Sequence, residues 1–275
     1  MQIEIIEMTD TKARFILKDG TPGLANALRR VLISDIPKMA IDKVEFHLGP
    51  IMVDGREYES ITPLFDEIVS HRLGLVPVPT DHELFTFQEE CVCDGEGCPS
   101  CSIMYSLNKI GPCTVYSGDL IPLGNELLKV KDELIPIIEL NDGQAVLVYA
   151  FARMGTAQQH VKWQVTHGVG YKYMPQLKVD SSLCDGQAKC IALCPGRVFV
   201  MEGDVATVVN PLECTLCRSC LQFCDMKAIS LVENDTQFVF TMETDGSLTA
   251  SQTLDFALKS MEERFTKFND ALLAN

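Results

Sequence analysis

Two apolar-rich segments open the chain, Gln2 to Met8 and Lys12 to Lys18, dominated by Ile, Phe and Leu and joined across Thr9-Asp10-Thr11. That pattern predicts a pair of strands linked by a turn. Thr21-Pro22 then marks a helix start, with threonine as cap and proline at the first position, where its missing N–H costs nothing. Leu24, Leu28, Val31 and Leu32 recur at helical spacing, and Pro37 ends the element. Val44 to Val53 reads as strand broken at Gly49-Pro50. Thr62-Pro63 predicts a second helix running to Leu73, with Asp66 and Glu67 in its first turn and Gly74 after its last. Ser102 to Leu107, Cys113 to Tyr116 and Gln144 to Arg153 read as strands between Pro and Gly breaks. Val161 to Tyr173 is rich in aromatic and β-branched residues and predicts a return to the first sheet, and Phe238 to Met242 predicts a further strand. The mixture places the chain in the α+β class.

The last predicted helix follows Ser247 to Ser251. Leu254, Leu258, Met261, Phe265, Phe268 and Leu272 repeat along it in alternating steps of four and three. This is a narrow, heptad-like seam rather than a broad core face. Such a seam fits internal packing and an interface equally well, and the periodicity does not choose between them.

Composition narrows the picture. The chain has 275 residues, 47% of them hydrophobic, and a formal charge of −15. That is enough apolar material for one large domain or several small ones, and it excludes a disordered acidic tail. The longest apolar run, Ala145 to Ala152, is strand-sized, so no spanning helix is expected. The first residues carry acids and no basic stretch, so a secretory signal is not expected and the chain reads as cytoplasmic. The negative charge argues against a chain whose task is to grip nucleic acid. The five histidines, His47, His71, His82, His160 and His167, fall in no catalytic spacing, and no nucleotide-binding glycine loop is present. No active site is expected. Cys113 stands apart from the other cysteines and is expected to be a small buried residue.

The remaining cysteines change the reading most. There are 12 in all, clustered rather than spread, and in a reducing compartment clustering points to metal. Cys214-x2-Cys217-x2-Cys220-x3-Cys224 has the spacing of a bacterial ferredoxin, in which three thiolates from one tight loop reach three irons of a [4Fe–4S] cubane. A shift of thirty residues superimposes Cys184 on Cys214, Cys190 on Cys220 and Cys194 on Cys224, with Pro195 after Cys194. Val198 to Met201 then falls opposite Ala228 to Leu231. This internal repeat predicts a two-cluster ferredoxin-like segment. Because the fourth cysteine of each run ligates the other cluster, Cys214, Cys217, Cys220 and Cys194 form a complete set. The second set has only Cys184, Cys190 and Cys224, since Gln187 stands where Cys217 would repeat. Three thiolates suit a [3Fe–4S] cluster, and Asp185 offers an oxygen toward a fourth iron. Zinc, or a degenerate empty second site, is the competing reading.

A second block, Cys91-x-Cys93-x4-Cys98-x2-Cys101, brackets Gly95, Gly97 and Pro99. Four thiolates within so short a loop suit one tetrahedral, structural zinc. The alternative is a flexible loop of reduced cysteines.

Four stretches carry a resemblance. Asn26 to Pro37 (NALRRVLISDIP), Asp66 to Pro77 (DEIVSHRLGLVP), Thr114 to Leu120 (TVYSGDL), and Phe238 to Ser247 (FVFTMETDGS) with the last helix occur in this order. They resemble the motifs of the RNA polymerase α-like family, which includes the bacterial α subunit N-terminal domain and its archaeal and eukaryotic counterparts. The ferredoxin-like insertion resembles that of the archaeal D subunits. The resemblance implies a discontinuous dimerisation domain (1–41, 158–179 and 232–275). It would be interrupted by an α+β insertion domain (42–157) with the zinc-type loop and by a ferredoxin-like domain (180–231). It further implies pairing with the smaller L subunit through the Leu254–Leu272 seam. Arg29 and Arg30 would face the large catalytic subunits, and the small N and P subunits would lie nearby. The expected role is a non-catalytic platform for polymerase assembly; the ferredoxin repeat alone would instead suggest electron transfer.

Overall fold

The computed structural model describes residues 2–274. The chain divides into two compact units. One comprises the residues up to Glu7, Ala13–Arg29 and Val169–Thr241; the other comprises Met8–Lys12, Arg30–Gly168 and the chain from Met242 onward.

The first unit is built on a four-stranded sheet in the order Gln2–Met8, Lys12–Lys18, Ile229–Thr244, Thr166–Val179. Ala13, Phe15 and Leu17 alternate onto its buried face, as a period of two requires. Phe15 stacks on Phe240 with ring centroids 5.0 Å apart, and Tyr171 packs against both Phe240 and Phe238. Such aromatic pairs add to the stabilisation from burial alone. The predicted strand at Phe238 to Met242 is the end of one 16-residue strand that begins at Ile229. The polar run Glu233-Asn234-Asp235 hides this continuity from an apolar pattern, yet backbone pairing needs no apolar side chain.

Between its two long strands this unit carries the segment with the thirty-residue repeat. Two one-turn helices, Lys189–Ala192 and Ser219–Gln222, lie thirty residues apart. Their preceding residues, Ala188 and Arg218, share a left-handed backbone with φ of 56° and 61°. Gly186 and Leu216, and then Arg197 and Lys227, form two further left-handed pairs in the same register. Val198, Phe199, Cys214 and Ile229 form the small buried core, with Leu177, Val179 and Leu231 against it.

The second unit centres on an antiparallel sheet in the order Lys38–Phe46, Ala145–Gly155, Ser102–Ile110, Ile121–Pro122. Its core gathers Leu73 and Val69 from the Asp66–Gly74 helix with Tyr105, Leu107, Val148 and Ala150 from the sheet. The Tyr105 hydroxyl donates to the Leu128 carbonyl at 2.7 Å, which allows a phenol to be fully buried. A bulge opposite Phe151 and Ala152 turns out Asp42, which accepts from Arg153 Nε at 2.5 Å and pairs with Lys162. Lys38 is buried and pairs with Asp245.

Several sequence expectations shift. Thr21 caps the first helix, Pro22–Ser34, through a bond from Leu24 N–H to Thr21 Oγ1 at 3.2 Å, as expected. The second helix begins at Asp66, not at Thr62-Pro63. The Thr62 hydroxyl instead donates to the Leu64 carbonyl at 2.6 Å, a local turn that competes with helix initiation. The strand expected over Val44 to Val53 is two strands, Lys38–Phe46 and Ile51–Val53. Val161–Trp163 forms a helical turn before the strand Thr166–Val179 starts. Cys113 is only half-buried, donating to the Ile110 carbonyl at 3.3 Å. Pro136–Leu140 pairs with Cys113–Tyr116 and begins at its proline, the strand position where a missing N–H is tolerated.

Candidate functional site

Three places concentrate the chemistry. The first is the loop leading into the Ser102–Ile110 strand. The Sγ atoms of Cys91, Cys93, Cys98 and Cys101 all lie within 4.8 Å of one another. The Cys91–Cys98, Cys93–Cys101 and Cys98–Cys101 separations are 3.5, 3.6 and 3.9 Å. A tetrahedral zinc with Zn–S bonds of about 2.3 Å places its sulfurs about 3.8 Å apart, so the donor set fits. The loop doubles back through left-handed backbone at Asp94, Gly95 and Gly97, and glycine supplies two of those three turns without steric cost. Gln88 Nε2 donates to the Gly95 carbonyl at 2.6 Å, and the Cys98 N–H reaches Cys101 Sγ at 3.2 Å.

The thiols in this loop differ sharply in acidity. Burial opposes ionisation of Cys93, but the Gly97 N–H and the neighbouring thiols of Cys101, Cys91 and Cys98 outweigh it and bring its pKa down to about 6. Burial, reinforced by the neighbouring sulfurs, pushes Cys101 up to about 12.

The second place is the segment with the thirty-residue repeat, which carries two groups of cysteines. Cys184, Cys190 and Cys224 line one cavity together with Asp185 and Gln187. Burial pushes the Cys190 thiol up, and the charges of Cys184 and Cys224 add to it. Likewise burial pushes Cys220 up to about 11, with Cys214, Cys194 and Cys217 contributing. Cys190 thus has Cys184 and Cys224 as charged neighbours, and Cys220 has Cys214, Cys194 and Cys217. Cys217 is exposed, and its thiol is drawn down first by the Ser219 N–H. Three or four cysteines gathered on short, tightly turned loops suit iron–sulfur ligation.

Spacing did not reveal how the sheet grips this segment. Lys172 Nζ donates to the Leu212 and Cys214 carbonyls at 2.6 and 2.8 Å. Arg14 donates to the Leu212 carbonyl at 2.8 Å and to the Glu213 carboxylate at 2.6 Å. The Arg14 Nε is buried and has no hydrogen-bond partner among the described residues. The only sequence signal was two cations placed within otherwise half-buried strands, Lys12–Lys18 and Thr166–Val179.

The third place is the C-terminal helix, Ala250–Leu273, which starts from a capping box between Thr249 and Gln252. Its seam divides in two. Leu254 and Met261 are buried and Leu258 is half-buried, while Phe265, Phe268 and Leu272 are 59%, 64% and 60% exposed. The proximal half is internal packing and the distal half is an apolar surface. Arg29 is half-buried and bonded to Asn26 Oδ1, and Arg30 is exposed.

Three of the histidines make structural contacts. His82 bonds the Pro37 carbonyl at 2.8 Å, His160 accepts from the Lys162 N–H, and His167 lies near Glu243.

Residues 14–265 match the sequence profile described as the RNA polymerase Rpb3/Rpb11 dimerisation domain. The chain belongs to this family. Among its relatives, the DNA-directed RNA polymerase subunit Rpo3 of Picrophilus torridus is 44% identical over 272 residues, covering 98% of this chain and 99% of the relative. Rpo3 of Thermoplasma volcanium is 43% identical, covering 96% and 97%. The RNA polymerase II subunit rpb3 of Dictyostelium discoideum is 28% identical, covering 96% and 92%. A member of the Rpb3/Rpb11 family matched over nearly its full length by polymerase subunits is a non-catalytic component of DNA-directed RNA polymerase, and the electron-transfer alternative finds no support. Its partners are other polymerase subunits. Among the described residues no helix is long and apolar enough to cross a membrane.

Proposed function

We propose that this chain is the platform subunit of an archaeal polymerase, the D subunit, acting in the cytoplasm. It pairs with the smaller L subunit, and the pair receives the large catalytic subunits and the small N and P subunits. The dimerisation domain is the discontinuous set 1–41, 158–179 and 232–275. The insertion domain (42–157) and the ferredoxin-like domain (180–231) branch from it. The observation that carries this reading is the distal seam. Phe265, Phe268 and Leu272 stand exposed on a helix that the family profile reaches, and isolated chains rarely leave such a stripe uncovered. Arg29 and Arg30, in the first-helix motif, are the proposed contacts to the large subunits.

In the same proposal Cys194, Cys214, Cys217 and Cys220 hold a [4Fe–4S] cluster, Cys184, Cys190 and Cys224 hold a [3Fe–4S] cluster, and Cys91, Cys93, Cys98 and Cys101 hold zinc. The clusters tie together loops that have little apolar core of their own, so losing iron loosens the domain and makes assembly sensitive to oxygen. Anaerobic affinity purification from the host, with partners identified and metals counted, tests the whole reading. Recovery of L and the large subunits with about seven iron and about one zinc per chain is expected. Replacing Phe265 and Phe268 with Ser should abolish L recovery while leaving iron and zinc in place. Undiminished L recovery with that double variant removes the seam from the interface.

A further inference from the structure

We propose that the three-cysteine pocket also takes up a fourth metal ion, divalent iron or zinc, on the carboxylate of Asp185. This rests on the reading that Cys184, Cys190 and Cys224 hold a three-iron cluster. Asp185 lies on the wall of the same cavity as those three sulfurs. Its loop keeps the backbone of the complete loop thirty residues later, since Gly186 matches Leu216 and Ala188 matches Arg218 in left-handed φ. The chain therefore passes the fourth corner in the conformation that presents Cys217 in the other half, but the residue there is Gln187.

A neutral amide is a weak ligand for a divalent ion, whereas a carboxylate oxygen is a common one for iron and zinc. Gln187 instead acts on Asp185. Its side-chain amide donates to Asp185 Oδ2, and its backbone N–H lies 3.4 Å from Oδ1. Both bonds come from one neighbour and orient the carboxylate at the rim of the pocket. The other charges lining the cavity are Lys189 and Asp225, which pair with each other at 2.5 Å. Asp185 is thus the one lining carboxylate whose charge no lysine in the pocket is bonded to.

The uptake balances without further components. A low-potential one-electron reductant such as dithionite converts [3Fe–4S]+ to [3Fe–4S]0. Addition of Fe2+ then gives [4Fe–4S]2+. The incoming ion forms three bonds to cluster sulfides and one to an Asp185 oxygen. The Gln187 amide hydrogen bond to that oxygen is the interaction given up. With Zn2+ the same step gives a mixed cluster of the same charge.

The test uses the full chain, reconstituted anaerobically, reduced with dithionite and titrated with Fe2+ or Zn2+ alone. Iron counting and EPR are the readouts. The wild-type chain should start near seven iron and show the oxidised three-iron signal. Reduction removes that signal, and after titration and desalting it should not return on mild reoxidation, while one added metal ion per chain is retained. Asp185→Asn should keep the iron and the three-iron signal but need at least roughly tenfold more metal for uptake, since even outer-shell groups are worth 10–100-fold. Gln187→Cys should carry about eight iron from the outset, which shows that the pocket can hold a full cubane. Uptake by Asp185→Asn at wild-type metal concentrations overturns the proposal while leaving the cluster assignment standing. About four iron and no three-iron signal in the wild-type chain overturns the cluster assignment itself, and the proposal with it.

Discussion

Gly196 offers the sharpest test of how the cluster loops are built. It follows Cys194 and Pro195, and a Cβ added there would sit 2.3 Å from the Glu213 carbonyl oxygen and 3.0 Å from its carbon. Ordinary contact begins near 3.4 Å, so the two backbones must part by about 1 Å. The opposing segment cannot retreat freely. Lys172 holds the carbonyls of Leu212 and Cys214, and Arg14 holds the Leu212 carbonyl and the Glu213 carboxylate. Gly196→Ala should therefore cost about 1–3 kcal/mol, the usual range for overpacking a well-filled site. The first unit has about 100 residues, for which each kcal/mol moves the melting midpoint by about 4–8 °C.

The functional consequence is larger. Cys194 and Cys214 belong to the same proposed quartet, and metal ligands tolerate displacements of only about 0.2 Å. A shift several times that should empty the proposed [4Fe–4S] site and leave about three iron per chain. Anaerobic reconstitution, iron counting and a thermal melt on the same sample read both effects. Gly170→Ala is the control, because nothing lies within 4 Å of its Cβ position. A Gly196→Ala chain with wild-type iron and an unshifted midpoint would refute the close approach of these loops and their joint ligation of one cluster.

Other outcomes can be stated more briefly. Cys98→Ser should remove the proposed zinc while leaving the proposed iron content unchanged, checked by elemental analysis, because its sulfur is within 4 Å of both Cys91 and Cys101. Asp35→Asn should cost about 2 kcal/mol near pH 7, the scale of hydrogen bonds to a charged group. Burial raises the Asp35 pKa, but donors from Ser34, Gln158 and Arg264 together hold it below the usual carboxylate value. A lowered folded pKa gives stability that is present above about pH 4 and lost as pH falls through the folded value. The gap between wild type and Asp35→Asn in urea melts should accordingly narrow below about pH 4; a constant gap would show that the carboxylate's charge is not what counts. Gly155→Ala would place a Cβ 2.5 Å from Trp163 Cε2, so a loss of about 1–3 kcal/mol is expected. Trp163 is the only tryptophan in the chain, and its emission should shift on displacement; unchanged emission and stability would count against this packing.

What the sequence could say by itself came from short-range constraints. Cysteine spacing is one, because two- and three-residue gaps limit where sulfurs can point. The thirty-residue repeat was equally legible, and it returns in the structure as paired one-turn helices and paired left-handed residues from Gly186 and Leu216 to Arg197 and Lys227. Thr21-Pro22 announced its helix because capping is chemistry between residues three apart. Tertiary contacts decided the rest. The seam from Leu254 to Leu272 looks uniform in sequence, yet the fold buries its first half and exposes its second, since burial depends on what else packs there. Arg14 and Lys172 lie about 200 and 40 residues from the Leu212–Cys214 backbone that they clamp, and no periodicity encodes a partner so remote. Spacing along a chain fixes which atoms are near when few bonds separate them; beyond that reach, only the closure of the sheets brings donor and acceptor together.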